Sequence, residues 1–203
     1  MKKARQMRLT VTQKILWAAV GVVLAGYGVL AWMNGGRNSG TAVTMEQTFR
    51  PEFTLTDATG RPITSGDFAG RFQLVFFGFT NCPDICPTTL AEVAAVIEAL
   101  GSDADRVQPL FISVDPERDA GSGLAAYTAA FHPAILGLAG SAEATRAAAS
   151  SFKIAYEKEP QGETYTMAHS AALYLIGPDG DWLRLYDYGT PAADITADLK
   201  SRL

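Results

Sequence analysis

The chain has 203 residues and is 48% hydrophobic, enough for one domain with a substantial core plus an additional apolar segment. All 21 acidic residues lie at or after Glu46, against 11 Lys and Arg over the same stretch. That balance argues against nucleic acid as a partner, because phosphate binding needs the opposite sign. The chain has two cysteines, close together, which is no disulfide framework for a domain of this size and points to one local purpose.

The N-terminal end reads first as a membrane element. Ile15 to Met33 is a run of nineteen residues without charge, long enough to cross a hydrocarbon core of about 30 Å as a helix. Lys2, Lys3, Arg5, Arg8 and Lys14 precede it with no acidic residue among them. Basic flanks stay on the cytoplasmic side. The expectation is therefore a cytoplasmic tail (residues 1–14) and a single-pass anchor in the inner membrane (15–33). The C-terminal bulk would lie in the periplasm, with Trp17 and Trp32 placed to meet the two interfaces. A cleaved signal is the alternative: Gly26 and Gly28 offer small residues, but the run exceeds a signal core and no Ala-x-Ala follows it. Residues 34–45, rich in Gly, Ser and Asn, read as a flexible linker, and the folded domain is expected over 46–203.

Phe53 to Thr56 alternates and leads into Asp57-Ala58-Thr59-Gly60, a hairpin signal. Gln73 to Phe79 is almost continuously apolar, as a strand covered on both faces would be. Thr88 to Leu100 places Leu90, Val93, Ile97 and Leu100 at helical spacing and stops at Gly101. Val107 to Val114 reads as a second buried strand closed by Asp115-Pro116. Gly121 to Phe131 follows as a helix ending before His132-Pro133. Then come a short strand at Ile135 to Leu138 and a helix from Ala142 to Phe152. Ala171 to Ile176 and Trp182 to Tyr186 form a hairpin through Pro178-Asp179-Gly180, and a helix from Pro191 ends the chain. A hairpin, a β-α-β-α run and a closing hairpin with helix imply helices packed on a mixed sheet. With the cysteine loop between the first long strand and the first long helix, the expected class is a thioredoxin-like α/β fold.

The chemistry concentrates in Phe76-Phe77-Gly78-Phe79-Thr80-Asn81-Cys82-Pro83-Asp84-Ile85-Cys86-Pro87. Two thiols three residues apart ahead of a helix can close a disulfide or bind a soft metal, and the free N–H groups of the helix start favour thiolate. The spacing departs from the Cys-x2-Cys of ordinary thiol oxidoreductases. A purely stabilising disulfide is disfavoured, since so small a loop removes little unfolded-state entropy. For copper a third ligand is wanted, and imidazole suits it. Of the two histidines, His132 reads as a solvated residue at a helix end. His169 precedes the apolar strand and can come over the sheet to the cysteine loop. Met167 reads as a buried methionine rather than a thioether ligand. Asp84 is either a solvated turn residue or a partner contact. Asp115-Pro116 reads as a turn, and Asp119 as the cap of the next helix.

Phe77-Gly78-Phe79-Thr80 with Cys82-Pro83-Asp84-Ile85-Cys86-Pro87, then Ser113-Val114-Asp115-Pro116-Glu117-Arg118-Asp119, then His169-Ser170, resembles the Sco/SenC family. The likeness runs from about Pro51 to the C-terminus. It departs where members of the family often carry an Asp shortly before the histidine; here Met167-Ala168 are apolar. The resemblance implies a membrane-anchored copper chaperone, not a turnover enzyme, with Cys82, Cys86 and His169 as ligands for Cu(I) or Cu(II). It implies as partners the copper-bearing subunit of cytochrome c oxidase, a copper donor protein and a thiol reductant. The rival function is a thiol-disulfide reductase that keeps a target's copper-site cysteines reduced, for which His169 is not required.

Overall fold

The computed structural model describes residues 49–203 and six helical, solvent-exposed positions of the N-terminal apolar segment: Trp17, Ala18, Val20, Gly21, Leu24 and Gly26. The basic tail, most of the expected anchor, the linker and the boundary at Glu46 lie outside the described residues.

Strands β1 (Thr54–Thr56) and β2 (Pro62–Thr64) form the first hairpin, with Gly60 at φ +81° in its turn. The central strand β3 (Phe72–Gly78) is buried at every position, as its unbroken apolar run requires. Helix α1 (Ile85–Leu100) follows and buries Leu90, Val93, Val96, Ile97 and Leu100, with Gly101 at positive φ closing it. Strand β4 (Val107–Ser113) runs parallel to β3, setting Gly78 opposite Ser113. A single turn of helix, α2 (Pro116–Asp119), leads to α3 (Ser122–Ala129) and the short strand β5 (Leu136–Leu138), which is parallel to β4. Helix α4 (Ala142–Ser151) is capped by the Ser141 side chain, which accepts from the Ala144 N–H. A hairpin of β6 (Tyr156–Gln161) and β7 (Thr164–His169) follows. Strands β8 (Leu173–Ile176) and β9 (Trp182–Tyr186) and helix α5 (Ala192–Lys200) complete the domain.

The main sheet has the order β5-β4-β3-β8-β9, with β8 antiparallel to both neighbours. This is the expected thioredoxin-like arrangement. The two faces of β3 carry different work. Phe76 packs on Phe111 on the side of α1, and Phe77 packs on Phe152 (ring centroids 5.2 Å) beyond the end of α4.

Four readings of the sequence need correction. Helix α1 begins at Ile85 rather than Thr88, so Cys86 lies in its first turn. Pro87 is tolerated there because the first helical N–H groups have no intrahelical acceptor. The β6–β7 hairpin was not expected: its first strand is polar and exposed and contains Pro160, and it pairs only with β7. His169 consequently ends a strand instead of lying in a loop. Asp119 caps nothing; it is buried and binds the loop that carries the cysteines.

Candidate metal centre

The site is built where β3 ends. Gly78 is the last residue of that strand, and a Cβ on it would stand 2.8 Å from the Cys86 sulfur and 2.8 Å from Cε2 of Phe111. Only glycine lets the strand pass this close beneath the thiol. Beyond Gly78 the chain turns, with the Cys82 N–H donating to the Phe79 carbonyl at 3.3 Å, and enters α1. In the first turn of that helix the Cys86 N–H donates to the Cys82 sulfur at 3.4 Å, so a free N–H of the helix start serves the outer cysteine. Cys82 is half-buried and Cys86 fully buried; both are free thiols.

His169 arrives from the other side. Within β7, Tyr165, Met167 and His169 alternate onto one face, with Met167 buried. The His169 ring is set edge-on to Phe76 and Phe79, at centroid distances of 6.0 and 5.8 Å. Its Nδ1 lies 3.0 Å from the Ser170 carbonyl, which assigns the proton to Nδ1 and leaves the Nε2 lone pair free. Nε2 stands 3.6 Å from the Cys86 sulfur. The two sulfurs and a ring nitrogen all lie within 4.8 Å of one another. The structure thus brings together all three residues singled out from the sequence. His132 is not among them; its Nδ1 accepts from the Ala134 N–H at the end of α3. Met167 lines a cavity of about 780 Å³ between α4 and the hairpin. Asp84 is an exposed residue at the start of α1.

The electrostatics differ from the simple expectation of thiolates at a helix start. Burial pushes the Cys86 thiol well above its ordinary range, outweighing the N–H of Phe79 that favours the thiolate. Burial also lowers the pKa of His169, against the opposing effect of its bond to Ser170, and so favours neutral imidazole. The metal-free site therefore holds a protonated inner thiol facing an unprotonated ring nitrogen. A thiophilic cation entering it would displace the Cys86 proton.

Residues that the sequence reading took as a turn and a helix cap prove to hold the two halves of the site. Asp119 accepts from the Thr80 N–H (3.0 Å) and hydroxyl (2.6 Å) and from the Ser113 hydroxyl (2.7 Å), which pins the cysteine loop to the end of β4. Arg118 forms an ion pair with Asp115, donates to the Tyr165 carbonyl at 3.0 Å and lies 3.8 Å over the Tyr165 ring. The Tyr165 hydroxyl donates to Asp115 at 2.9 Å, and Lys158 of β6 pairs with Glu117. The run Asp115-Pro116-Glu117-Arg118-Asp119 therefore grips the cysteine loop with one end and the histidine hairpin with the other. Clustered charge in a five-residue turn was the signal available in the sequence. Tyr127 of α3 flanks the site; its buried hydroxyl has no protein partner, and burial followed by the nearby thiols raises its pKa.

A thioredoxin-like sheet with two thiols and an imidazole converging at the end of its central strand defines the class: a fold of the thiol-redox kind bearing a soft-metal donor set. Comparison narrows it. The SCO1/SenC family model matches residues 41–203, and the chain belongs to that family. Its sequence is 36% identical over 204 residues to the mitochondrial protein SCO2 homolog of Bos taurus, covering 95% of this chain and 75% of that one. Across the curated relatives the chain spans from 41% to 75% of their length. The copper-bound structure of Bradyrhizobium japonicum ScoI superposes with a TM-score of 0.71 at 38% identity, covering 76% of this chain and 99% of that one. BsSco superposes at 0.61 and 30% identity, covering 76% and 93%; its structure is described as revealing a disulfide switch in a member of the Sco family of cytochrome c oxidase assembly proteins.

Proposed function

We propose that this chain carries one copper ion as cargo on Cys82, Cys86 and His169 and supports metallation of the copper centre of cytochrome c oxidase. The observation that carries this reading is the convergence of two sulfurs and a nitrogen within 4.8 Å, with the His169 tautomer fixed by Ser170. Two thiolates and an imidazole hold Cu(I) as a trigonal ion and accept Cu(II) with a weaker fourth ligand. A site at a loop and strand end suits handover better than an enclosed one. The copper-bearing relative and the assembly role given for BsSco support the same reading. The partners that follow are a copper donor, the copper-bearing oxidase subunit and a thiol reductant. The basic tail and the uncharged run Ile15 to Met33 support tethering in the inner membrane, with the domain in the periplasm.

A second reading, thiol-disulfide exchange with a target's cysteines, is favoured by one observation: both thiols are free and next to each other at a helix start. Thiol trapping separates the two. Stoichiometric Cu(I) should protect Cys82 and Cys86 of the reduced protein from a maleimide. Equal reactivity with and without copper would transfer the lead to the reductase.

A further inference from the structure

In the folded domain the exposed large hydrophobic side chains among the described residues are Trp182, Leu183, Leu185 and Tyr188, at 39%, 37%, 37% and 46% exposure. Scattered exposed apolar residues are ordinary, but these four cluster within one strand and the turn after it, and clustering of exposed apolar side chains marks an interface. Strand β9 is moreover an edge of the main sheet, where charge or proline normally discourages association. Two acidic groups beside the patch are paired, Asp198 with Arg184 at 3.5 Å and Asp181 with Arg50, while Asp179 and Asp187 add negative charge at the two ends of the strand.

The chain also enters the domain at this place. The Trp182 N–H donates to the Phe49 carbonyl at 2.8 Å, and the two rings meet edge to face at 6.4 Å. Fifteen residues, 34–48, separate Phe49 from the end of the uncharged run. The patch is therefore the part of the domain closest along the chain to the segment read as an anchor. Its Trp and Tyr are the residue types enriched at a lipid-water interface. We propose that the β9 edge docks the domain on the lipid surface, by its apolar and aromatic side chains rather than by charge. The inference rests on the anchor reading. Trp182 pairs with Ile176, and Ile176 with Gln73 near the start of β3, whereas the cysteines follow its other end. Docking through the Trp182 end of β9, away from Tyr188 and the start of α1, leaves the metal site open to a protein partner.

Trp182 is the domain's single tryptophan, since the others are Trp17 and Trp32. The full chain carrying Trp17→Phe and Trp32→Phe is reconstituted into phosphatidylcholine vesicles, plain or half brominated. Bromolipid should quench Trp182 emission roughly twofold, with little effect of salt, and Leu183→Ser/Leu185→Ser should abolish that quenching while the circular dichroism is kept. Protein that floats with the vesicles but shows equal emission in both lipids overturns the docking. A Trp182 signal that depends on the protein-to-lipid ratio and not on bromination assigns the patch to a second copy, and also overturns it. A chain that fails to float overturns the anchor reading instead. The docking is then read from residues 47–203 titrated with the same vesicles, since the ScoI relative is a domain of this extent solved as such, and an unquenched Trp182 there rejects it.

Discussion

The Nε2 atom of His169 faces the sulfur of Cys86 across 3.6 Å, although 82 residues separate the two in the chain. This approach requires β7 to end beside the start of α1, and the Asp115–Asp119 turn holds it there through Arg118 and Tyr165 on one side and Thr80 on the other.

Copper binding should be coupled to proton release. Burial raises the Cys86 pKa, so the metal-free protein keeps that proton at neutral pH, and acid opposes metal entry. His169, whose pKa is lowered, begins to compete only below the usual histidine range. Apparent Cu(I) affinity should fall roughly tenfold per pH unit for each proton displaced between pH 8 and 6. Competition against a Cu(I) chelator measures it; an affinity that does not change with pH contradicts the protonated thiol.

Gly78→Ala should damage stability and site together. Its Cβ would meet the Cys86 sulfur and the Phe111 ring at 2.8 Å, both buried. Overpacking of this kind costs about 1–3 kcal/mol, and chemical denaturation should report it alongside weakened copper retention. Unchanged copper affinity would show that the sulfur can move without loss.

Removing the Arg118 side chain leaves the buried Asp115 carboxylate without its cation and frees the histidine hairpin. Arg118→Ala should destabilise the domain by about 3–5 kcal/mol, and Tyr165→Phe, which deletes one bond to that carboxylate, by about 1.5–3 kcal/mol. Denaturant midpoints test the order. If Tyr165→Phe proves the more damaging, the hairpin is held by something other than the ion pair.

Asp57 gives a stability signature in acid. Bonds from the Thr59 hydroxyl and the backbone N–H groups of Thr59 and Arg61 hold its carboxyl down at about 2. A depressed folded-state pKa means that its contribution is present above the unfolded value of about 3.9 and is lost as pH falls through about 2. Asp57→Ala should therefore melt below the parent at pH 6 and match it near pH 2. A constant gap across that range would mean that the carboxylate's charge is not what stabilises the turn.

The parts of the fold legible in the sequence were those with strong periodicity. The run from Gln73 to Phe79 and the spacing of Leu90, Val93, Ile97 and Leu100 describe burial directly, and burial there matches the sheet and its covering helix. The β6–β7 hairpin was hidden because Tyr156 to Gln161 has almost no apolar signal, its stability coming from cross-strand pairing and the Arg118 and Lys158 contacts. Its one sequence cue was Gly162 beside Thr164-Tyr165-Thr166, where the turn adopts φ +61°. The cysteines announced themselves by spacing. The protonation of Cys86 could not be read there, because it depends on how deeply the first helical turn is buried rather than on the turn's own dipole.

The most direct test of the three-residue copper site compares the Cu(II) complex of the parent with that of His169→Ala in the absorption band of sulfur-to-copper charge transfer. With imidazole as the third ligand, the variant should shift or lose that band and bind Cu(II) far more weakly, while Cys82 and Cys86 still retain Cu(I). A band of unchanged position and strength in His169→Ala would contradict the proposed ligand set.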